Sequence, residues 1–107
     1  MMKSILPSLR ENNRYIKFQI DADKSFNNRD IEKSLQEEFL TFLGQLELAK
    51  SSFKLISFNK NKGIIKINSK YLDKFRAILP MIQKLSNEKV NVKSLKTSGL
   101  INKLKED

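Results

Sequence analysis

The sequence predicts an α+β fold in which four strands form an antiparallel sheet and two helices cover one of its faces. Residues 14–20 alternate between apolar and polar, which is the period of a strand with one buried face. Two later stretches carry apolar residues at helical spacing, and short apolar runs bounded by turn residues lie between and after them. The resulting order is βαββαβ, in which the first and third strands are neighbours in the middle of the sheet.

The first strand is predicted at residues 14–20, and its alternation assigns each side chain to a face. The apolar residues that point to the core are Ile16, Phe18 and Ile20. The polar residues on the opposite, open face are Tyr15, Lys17 and Gln19. Residues 1–13 form a basic, polar arm that leads into this strand and cannot belong to the core.

The first helix is predicted to begin at a cap, either Asn27 or Asn28, and to end near Leu43. Its apolar stripe consists of Ile31, Leu35, Phe39 and Phe42 or Leu43. Gly44 then interrupts the pattern. Residues 45–50 form either a second short helix or a continuation, and the glycine favours a break because it so often ends helices in a left-handed turn.

The second and third strands, predicted at 53–59 and 64–68, are joined by a hairpin. The second strand carries apolar residues on both faces, so both faces are expected to be covered, one of them by another chain. In the hairpin, Asn61 and Gly63 are expected to adopt a positive φ. The third strand adds three residues to the open face: Ile64, Lys66 and Asn68.

The second helix is predicted to begin at a cap, Asn68 or Ser69, and to contain Pro80. Its apolar stripe consists of Leu72, Phe75, Ile78 or Leu79, Ile82 and Leu85. Pro80 should kink this helix or mark its last straight turn, because proline has no backbone N–H to donate. After a turn at 86–89, the fourth strand is predicted at 90–97, with Asn91, Lys93 and Leu95 facing outward.

Composition excludes several classes of function. The 107 residues are expected to form a single RRM-like (ferredoxin-like) domain, 1–107, with the basic arm 1–13 and a short C-terminal helix at 98–107. Cysteine and histidine are absent, and there is no nucleophile-base pair or glycine-rich phosphate loop. We therefore expect no catalysis by the chain alone, and no metal or cofactor bound to it. No membrane-spanning or secretory segment is recognised, which favours a cytoplasmic location.

The charge is large and unevenly distributed. The net charge is +9, which favours a polyanionic partner. Residues 21–47 carry seven acids and three bases, whereas residues 48–105 carry two acids and fourteen bases. This separation suggests two surfaces for two kinds of partner, although the acidic block can equally be an ordinary solvated face.

The basic residues predict an RNA-binding surface on the open face of the sheet. The candidate RNA-binding residues are Arg10, Arg14, Tyr15, Lys17, Lys60, Lys62, Lys66, Lys93 and Lys96. Lysine and arginine bind phosphates without reading sequence. Base-by-base reading needs aromatic residues on the central strands, and only Tyr15 is available there. Recognition of a folded RNA by its shape and backbone is therefore favoured, and Tyr15 either stacks on a base or packs within the sheet.

Three stretches carry a family resemblance: LPSLRENNRYIKFQI, GIIKINSKYLDKFRAIL and VNVKSLKTSGLINKLKE. Over nearly the whole chain and in this order, they resemble the archaeal ribonuclease P protein component 2 family, which is related to a subunit of eukaryotic ribonuclease P and MRP. The resemblance implies a non-catalytic protein subunit of the ribonucleoprotein that removes 5′ leaders from precursor tRNA. It also implies that the RNA carries the active site and its Mg²⁺ ions.

The resemblance also implies partners. These are the ribonuclease P RNA, precursor tRNA within the holoenzyme, the TIM-barrel ribonuclease P protein component 3, other protein subunits, and a second copy of the chain within a heterotetramer. Arg10, Arg14 and Lys17 would touch RNA, whereas the acidic first helix and the region of Gly44 would contact protein. The chain departs from many relatives at Ser8, where they have a second proline, and its loop after Ile20 is short.

Two other functions remain open from the residues alone. The first is a ferredoxin-like ligand-binding or protein-interaction module without an RNA function. The second is a small enzyme of the same fold, such as an acylphosphatase, for which the sequence has no convincing anion-binding loop.

Overall fold

A computed structural model describes residues 13–99. The candidate residue Arg10, nearly all of the predicted arm 1–13 and most of the predicted C-terminal helix 98–107 lie outside the described residues. The helices are α1 (Asn28–Leu43), α2 (Gln45–Ser51) and α3 (Leu72–Ile78). The strands are β1 (Asn13–Asp21), β2 (Lys54–Asn59), β3 (Lys62–Asn68), β4 (Lys84–Leu85), β5 (Glu88–Lys89) and β6 (Asn91–Ser98).

Four strands form one antiparallel sheet in the order β2-β3-β1-β6. The predicted α+β class is therefore confirmed, with β1 and β3 in the middle of the sheet as expected. The short strands β4 and β5 form a separate hairpin that the sequence did not predict.

The hydrophobic core lies between the sheet and the helices. The inner face of β1 contributes Ile16, Phe18 and Ile20, all buried. They belong to one cluster with buried residues of α1 and α3, including Phe39 and Phe75. The rings of Phe39 and Phe75 have centroids 4.5 Å apart, so an aromatic contact joins the two helices above the sheet.

The ends of α1 follow from its terminal residues. Asn27 is the cap, because its side-chain oxygen accepts a hydrogen bond from the N–H of Asp30 at 2.8 Å. At the other end Gly44 has φ 87° and donates its N–H to the carbonyl of Leu40 at 2.8 Å. The expected break is confirmed, since α2 begins directly after this left-handed glycine.

The β2–β3 hairpin corrects the expectation for Gly63. The residues with positive φ are Lys60 at 53° and Asn61 at 61°, and Gly63 is not among them. Gly63 is needed for a different reason: a Cβ there would lie 2.8 Å from the Phe18 ring and 2.8 Å from the Ser57 carbonyl oxygen. The absence of a side chain lets β1, β2 and β3 pack closely at this point.

Asn61 fastens the hairpin to the loop that precedes α1. Its side-chain oxygen accepts the N–H of Phe26 at 3.2 Å, and its amide donates to the carbonyl of Lys24 at 3.0 Å. Its own carbonyl accepts the N–H of Ile20 at 2.8 Å. One turn residue therefore satisfies three groups of the β1–α1 connection.

The second predicted helix is shorter than expected. It ends at Ile78, and Pro80 lies in a 3-10 turn at Leu79–Met81. Ile82 is extended, with φ −75° and ψ 121°, and Leu85 belongs to the β4–β5 hairpin, so neither residue is helical. Both are nevertheless buried, as the apolar stripe required. Pro80 ends the regular helix, because it has no backbone N–H to donate and its ring clashes with the carbonyl of the residue four positions earlier.

We expect Gly63→Ala to lower the free energy of unfolding by about 1–3 kcal/mol, because the added methyl group overpacks a junction between three strands. Gly99→Ala is the matched control, since the nearest heavy atom to a Cβ there is 3.6 Å away. Urea unfolding followed by circular dichroism measures both. Equal midpoints for the two variants would contradict the role given to Gly63.

Candidate nucleic-acid interface

The open face of the sheet is organised in rows, because residues paired across antiparallel strands lie on the same side. The first row consists of Lys54, Lys66, Tyr15 and Ser98, from β2 to β6. The second row consists of Ser57, Ile64, Lys17 and Lys96. The third row consists of Asn59, Lys62, Gln19 and Lys93. All six lysines of these four strands therefore lie on the open face.

A bulge in β6 places Lys96 in the second row. Phe18 pairs with Ser94 and Lys17 pairs with Lys96, so Leu95 is an extra residue between them. Without the bulge, Leu95 would lie opposite Lys17, and Lys96 would lie opposite Ile16 on the core side. The regular alternation of the sequence gives no sign of this shift.

A second bulge corrects the interpretation of β2. Leu55 pairs with Ile65 on the core side, Ser57 pairs with Ile64 on the open face, and Ile56 is the extra residue between them. The apolar residues on both predicted faces of this strand thus arise from the bulge. The expectation that another chain covers one face of β2 loses its basis. The same bulge hid Lys54, which the sequence analysis did not include among the candidates.

The open face carries one acidic residue among its four strands, Asp21. Its carboxylate lies 3.1 Å from the ammonium of Lys93, at a corner of the face. Among residues 13–99, no carboxylate forms an ion pair with Lys54, Lys66 or Lys96. The rest of the face is therefore cationic in the described part of the chain.

The other candidate residues lie elsewhere or contribute differently. Arg14 pairs with Ile67, which places it on the core side of β1, and its guanidinium donates to the Asn13 carbonyl at 2.9 Å. Lys60 is exposed in the β2–β3 turn, beyond the third row. Tyr15 is half-buried between Lys66 and Ser98. Ile64 shares the open face, as predicted, but only 5% of it is exposed, so it offers little contact area.

A second distinctive surface lies where α1 meets α2. A concave cleft of about 380 Å³ is lined by residues that include Gln36, Leu40, Leu48, Ala49 and Phe53. Two apolar side chains of the same helices are exposed to solvent, Phe42 by 40% and Leu46 by 66%. Large apolar residues clustered on a surface are typical of protein contacts.

Part of the acidic block is already engaged within the fold. Glu47 accepts a hydrogen bond from the Tyr71 hydroxyl at 3.1 Å and lies 3.5 Å from the Lys74 ammonium. The pKa of Tyr71 is raised, mainly by desolvation of the hydroxyl. Its hydrogen bond to Glu47 and the negative charge of Glu47 raise this pKa further. In the described residues, Glu32, Glu37 and Glu38 on α1 have no ion pair. They are the acids of α1 that remain available to a partner.

Two further features are absent within residues 13–99. No group of three or more acidic side chains there is arranged to hold a metal ion. Likewise, no helix in that range is both long enough and apolar enough to cross a bilayer.

Comparison with known proteins identifies consistent relatives. Residues 14–107 match the model of the Rpp14/Pop5 family. The chain is 33% identical over 105 residues to ribonuclease P protein component 2 of Thermococcus kodakarensis, covering 96% of this chain and 88% of that protein. It is also 33% identical over 104 residues to the protein of the same name from Archaeoglobus fulgidus, covering 97% and 94% respectively.

A solved structure shares the fold. The chain is similar to a chain in the cryo-EM structure of yeast ribonuclease MRP, with a TM-score of 0.58 and 14% sequence identity. The match covers 83% of this chain and 75% of the yeast chain. The predicted resemblance to ribonuclease P protein component 2 is thus confirmed by the family match and by the sequence relatives.

Proposed function

The chain belongs to the Rpp14/Pop5 family, and on this premise we propose that it is a protein subunit of ribonuclease P, which removes 5′ leaders from precursor tRNA. The observation that supports a mechanism is the charge on the open face of the sheet. Six lysines are held there on a rigid scaffold, with one carboxylate at the corner. Such a face binds RNA phosphates and releases their counterions.

The mechanism is charge neutralisation of a folded RNA. RNA helices that pack closely repel one another through their phosphates, and Mg²⁺ ordinarily screens this repulsion. A cationic face fixed on a sheet supplies part of that screening, and the backbone of the sheet needs no further ordering when RNA binds. The subunit thereby lowers the Mg²⁺ concentration at which the RNA folds and cleaves precursor tRNA, while the catalytic Mg²⁺ ions stay on the RNA.

Shape and backbone recognition fits this face better than base reading. The three rows of the open face contain one aromatic residue, Tyr15, which is half-buried. A domain that reads single-stranded bases uses several stacking side chains on its central strands. Tyr15 can stack on one base or pack beside Lys66, and either role leaves the lysines as the main source of affinity.

The chain contributes no catalytic group in this proposal. It has no histidine, which is the usual general base, and no cysteine, which supplies a thiol nucleophile. Its work is to bind and stabilise the catalytic domain of the RNA. The proposed setting is the cytoplasm, in a particle that also contains other protein subunits.

We propose that the surface at the α1–α2 junction binds a protein subunit, with the TIM-barrel ribonuclease P protein component 3 as the first candidate. The cleft is lined by Leu40, Leu48 and Phe53, and Phe42 and Leu46 are exposed on the same two helices. Glu32, Glu37 and Glu38 favour a partner with a basic rim, because complementary charges guide association. A second copy of this chain is the alternative occupant, and a dimer would appear in the free protein by light scattering.

We expect the full-length protein to lower the Mg²⁺ concentration required for precursor tRNA cleavage by the ribonuclease P RNA. Cleavage rates across a Mg²⁺ titration, with and without the protein, measure this effect. A variant that combines Lys54→Gln, Lys66→Gln and Lys96→Gln should lose most of it, since these lysines have no ion pair in the described chain. The matched control combines Lys33→Gln, Lys70→Gln and Lys89→Gln, which are exposed outside the open face. An identical Mg²⁺ dependence with and without the protein would contradict the mechanism.

We expect the double substitution Phe42→Gln and Leu46→Gln to weaken binding of component 3 by roughly tenfold or more, as loss of an interface anchor does. Both side chains are exposed, so the free energy of unfolding should change by no more than about 0.5 kcal/mol. Leu95→Gln is the control, since Leu95 is 44% exposed and lies in the edge strand β6, outside this surface. Isothermal titration calorimetry measures the affinities. Equal weakening by the double variant and by the control would exclude this surface as the binding site.

A further inference from the structure

The first row of the open face places an aromatic ring beside two lysines. Lys54 on β2 and Lys66 on β3 are direct cross-strand partners, and Tyr15 on β1 follows Lys66 in the same row. Neighbouring strands are about 4.8 Å apart, so the point midway between the two lysines lies roughly 7 Å from the backbone of Tyr15. The row therefore has a cationic end and an aromatic end within a short distance of each other.

The two lysines of this row are suited to one shared anion. Like charges that directly face each other across a sheet destabilise it, and an anion bound between them relieves the repulsion. No carboxylate within residues 13–99 forms an ion pair with Lys54 or Lys66. Lys54 is exposed on the edge strand and Lys66 is half-buried beside it, so a ligand can reach the pair from the edge of the sheet.

The side chain of Tyr15 is half-buried and is not engaged by its neighbours. Within residues 13–99 it makes no hydrogen bond, ring–ring contact or cation–π contact. The other tyrosine differs, because the Tyr71 hydroxyl donates to Glu47 and the Lys74 ammonium lies 5.4 Å from the centre of its ring. An aromatic ring without such contacts remains available to stack on a base, since every base has a π-face.

The other two rows of the open face lack this combination. The second row also has two facing lysines, Lys17 and Lys96, but no aromatic side chain. In the third row Gln19 separates Lys62 from Lys93, and this row has no aromatic side chain either. On the described part of the open face, the first row is thus the one place where an aromatic ring lies beside two facing lysines.

We propose that the first row binds one unpaired nucleotide of the RNA, with its phosphate between Lys54 and Lys66 and its base stacked on Tyr15. This inference rests on the proposed function and adds to it a site and the chemical class of ligand that the site takes. Any of the four bases can occupy the site, because stacking on an aromatic ring tolerates every base. A nucleotide inside a duplex cannot occupy it, since its base is already paired and stacked.

The first test separates the base from the phosphate by filter binding to the ribonuclease P RNA across salt concentrations. Tyr15→Leu should weaken binding by roughly fivefold or more without changing the slope of log affinity against log salt, whereas Tyr15→Phe should bind like the unsubstituted protein. The double variant Lys54→Gln and Lys66→Gln should reduce the slope by about 0.7, the effect of one phosphate contact on a single strand. Its matched control combines Lys84→Gln and Lys89→Gln, a facing pair in the β4–β5 hairpin, and should keep the slope.

Three results of this test would overturn the inference while the proposed function stands. Unchanged affinity for Tyr15→Leu would exclude the stack. An equal loss for Tyr15→Phe would show that the hydroxyl makes the contact and the ring does not. An equal loss of slope for the control pair would show that charge acts without regard to its place on the molecule. Failure of the unsubstituted protein to bind the RNA at any salt concentration would overturn both the inference and the proposed function.

The second test observes the stack directly and does not depend on removing the ring. The chain has no tryptophan, so Tyr15→Trp places a single indole in the first row, where a stacked base quenches its fluorescence. Saturation with an oligouridylate or with the ribonuclease P RNA should quench this fluorescence, and a fully paired RNA duplex should not. Phe42→Trp is the control, because Phe42 is 40% exposed on α1, and its emission should stay constant with each RNA. Equal quenching of Tyr15→Trp by the duplex, or no quenching by the bound ribonuclease P RNA, would exclude the nucleotide site.

Discussion

The register of β1 between β3 and β6 is the constraint on which both faces of the sheet depend. Side chains alternate with a period of two, so the register that buries Ile16 and Phe18 also places Tyr15 and Lys17 on the other face. A slip of one residue would exchange the two sets and bury a lysine without a partner, which is far more costly than any open-face contact is favourable. The apolar side of the strand therefore fixes the position of the charged side.

Periodicity predicted the elements of this fold because one-sided burial leaves a regular mark on the sequence. It could not predict the two bulges, since an extra residue is recognisable only against the strand with which it pairs. For this single reason the alternation gives no sign that Lys54 lies on the open face, and it makes Ile56 resemble a residue covered by another chain. Gly63 shows the same limit: its need for a small side chain comes from the Phe18 ring, which is remote in sequence.

The stretch after Pro80 shows a second limit of periodicity. Ile82 and Leu85 are buried, so their apolar character was interpreted correctly, but they are not helical. Helical spacing records that a residue is buried and cannot distinguish a helix from a turn and a hairpin that bury the same positions. The distinguishing signal was local: Ser86 and Asn87 both adopt a positive φ, and asparagine tolerates that conformation well.

The distribution of acids explains how the open face remains cationic in a chain that also carries an acidic block. Asp30 and Glu47 are used within the helices, at a cap and in the cluster with Tyr71 and Lys74. Asp21 is the one carboxylate of the long strands and is held at a corner by Lys93. Lys54, Lys66 and Lys96 are positioned by the backbone of the sheet, and none of them forms an ion pair with a carboxylate of residues 13–99. Lys54 and Lys66 face each other directly across the sheet, so an anion bound between them would relieve their repulsion. By mass action, binding then stabilises the folded state. Under the proposed function, RNA binding therefore adds to the stability of the folded subunit, and the aromatic core of α1 and α3 has to be sufficient for the chain to fold before assembly.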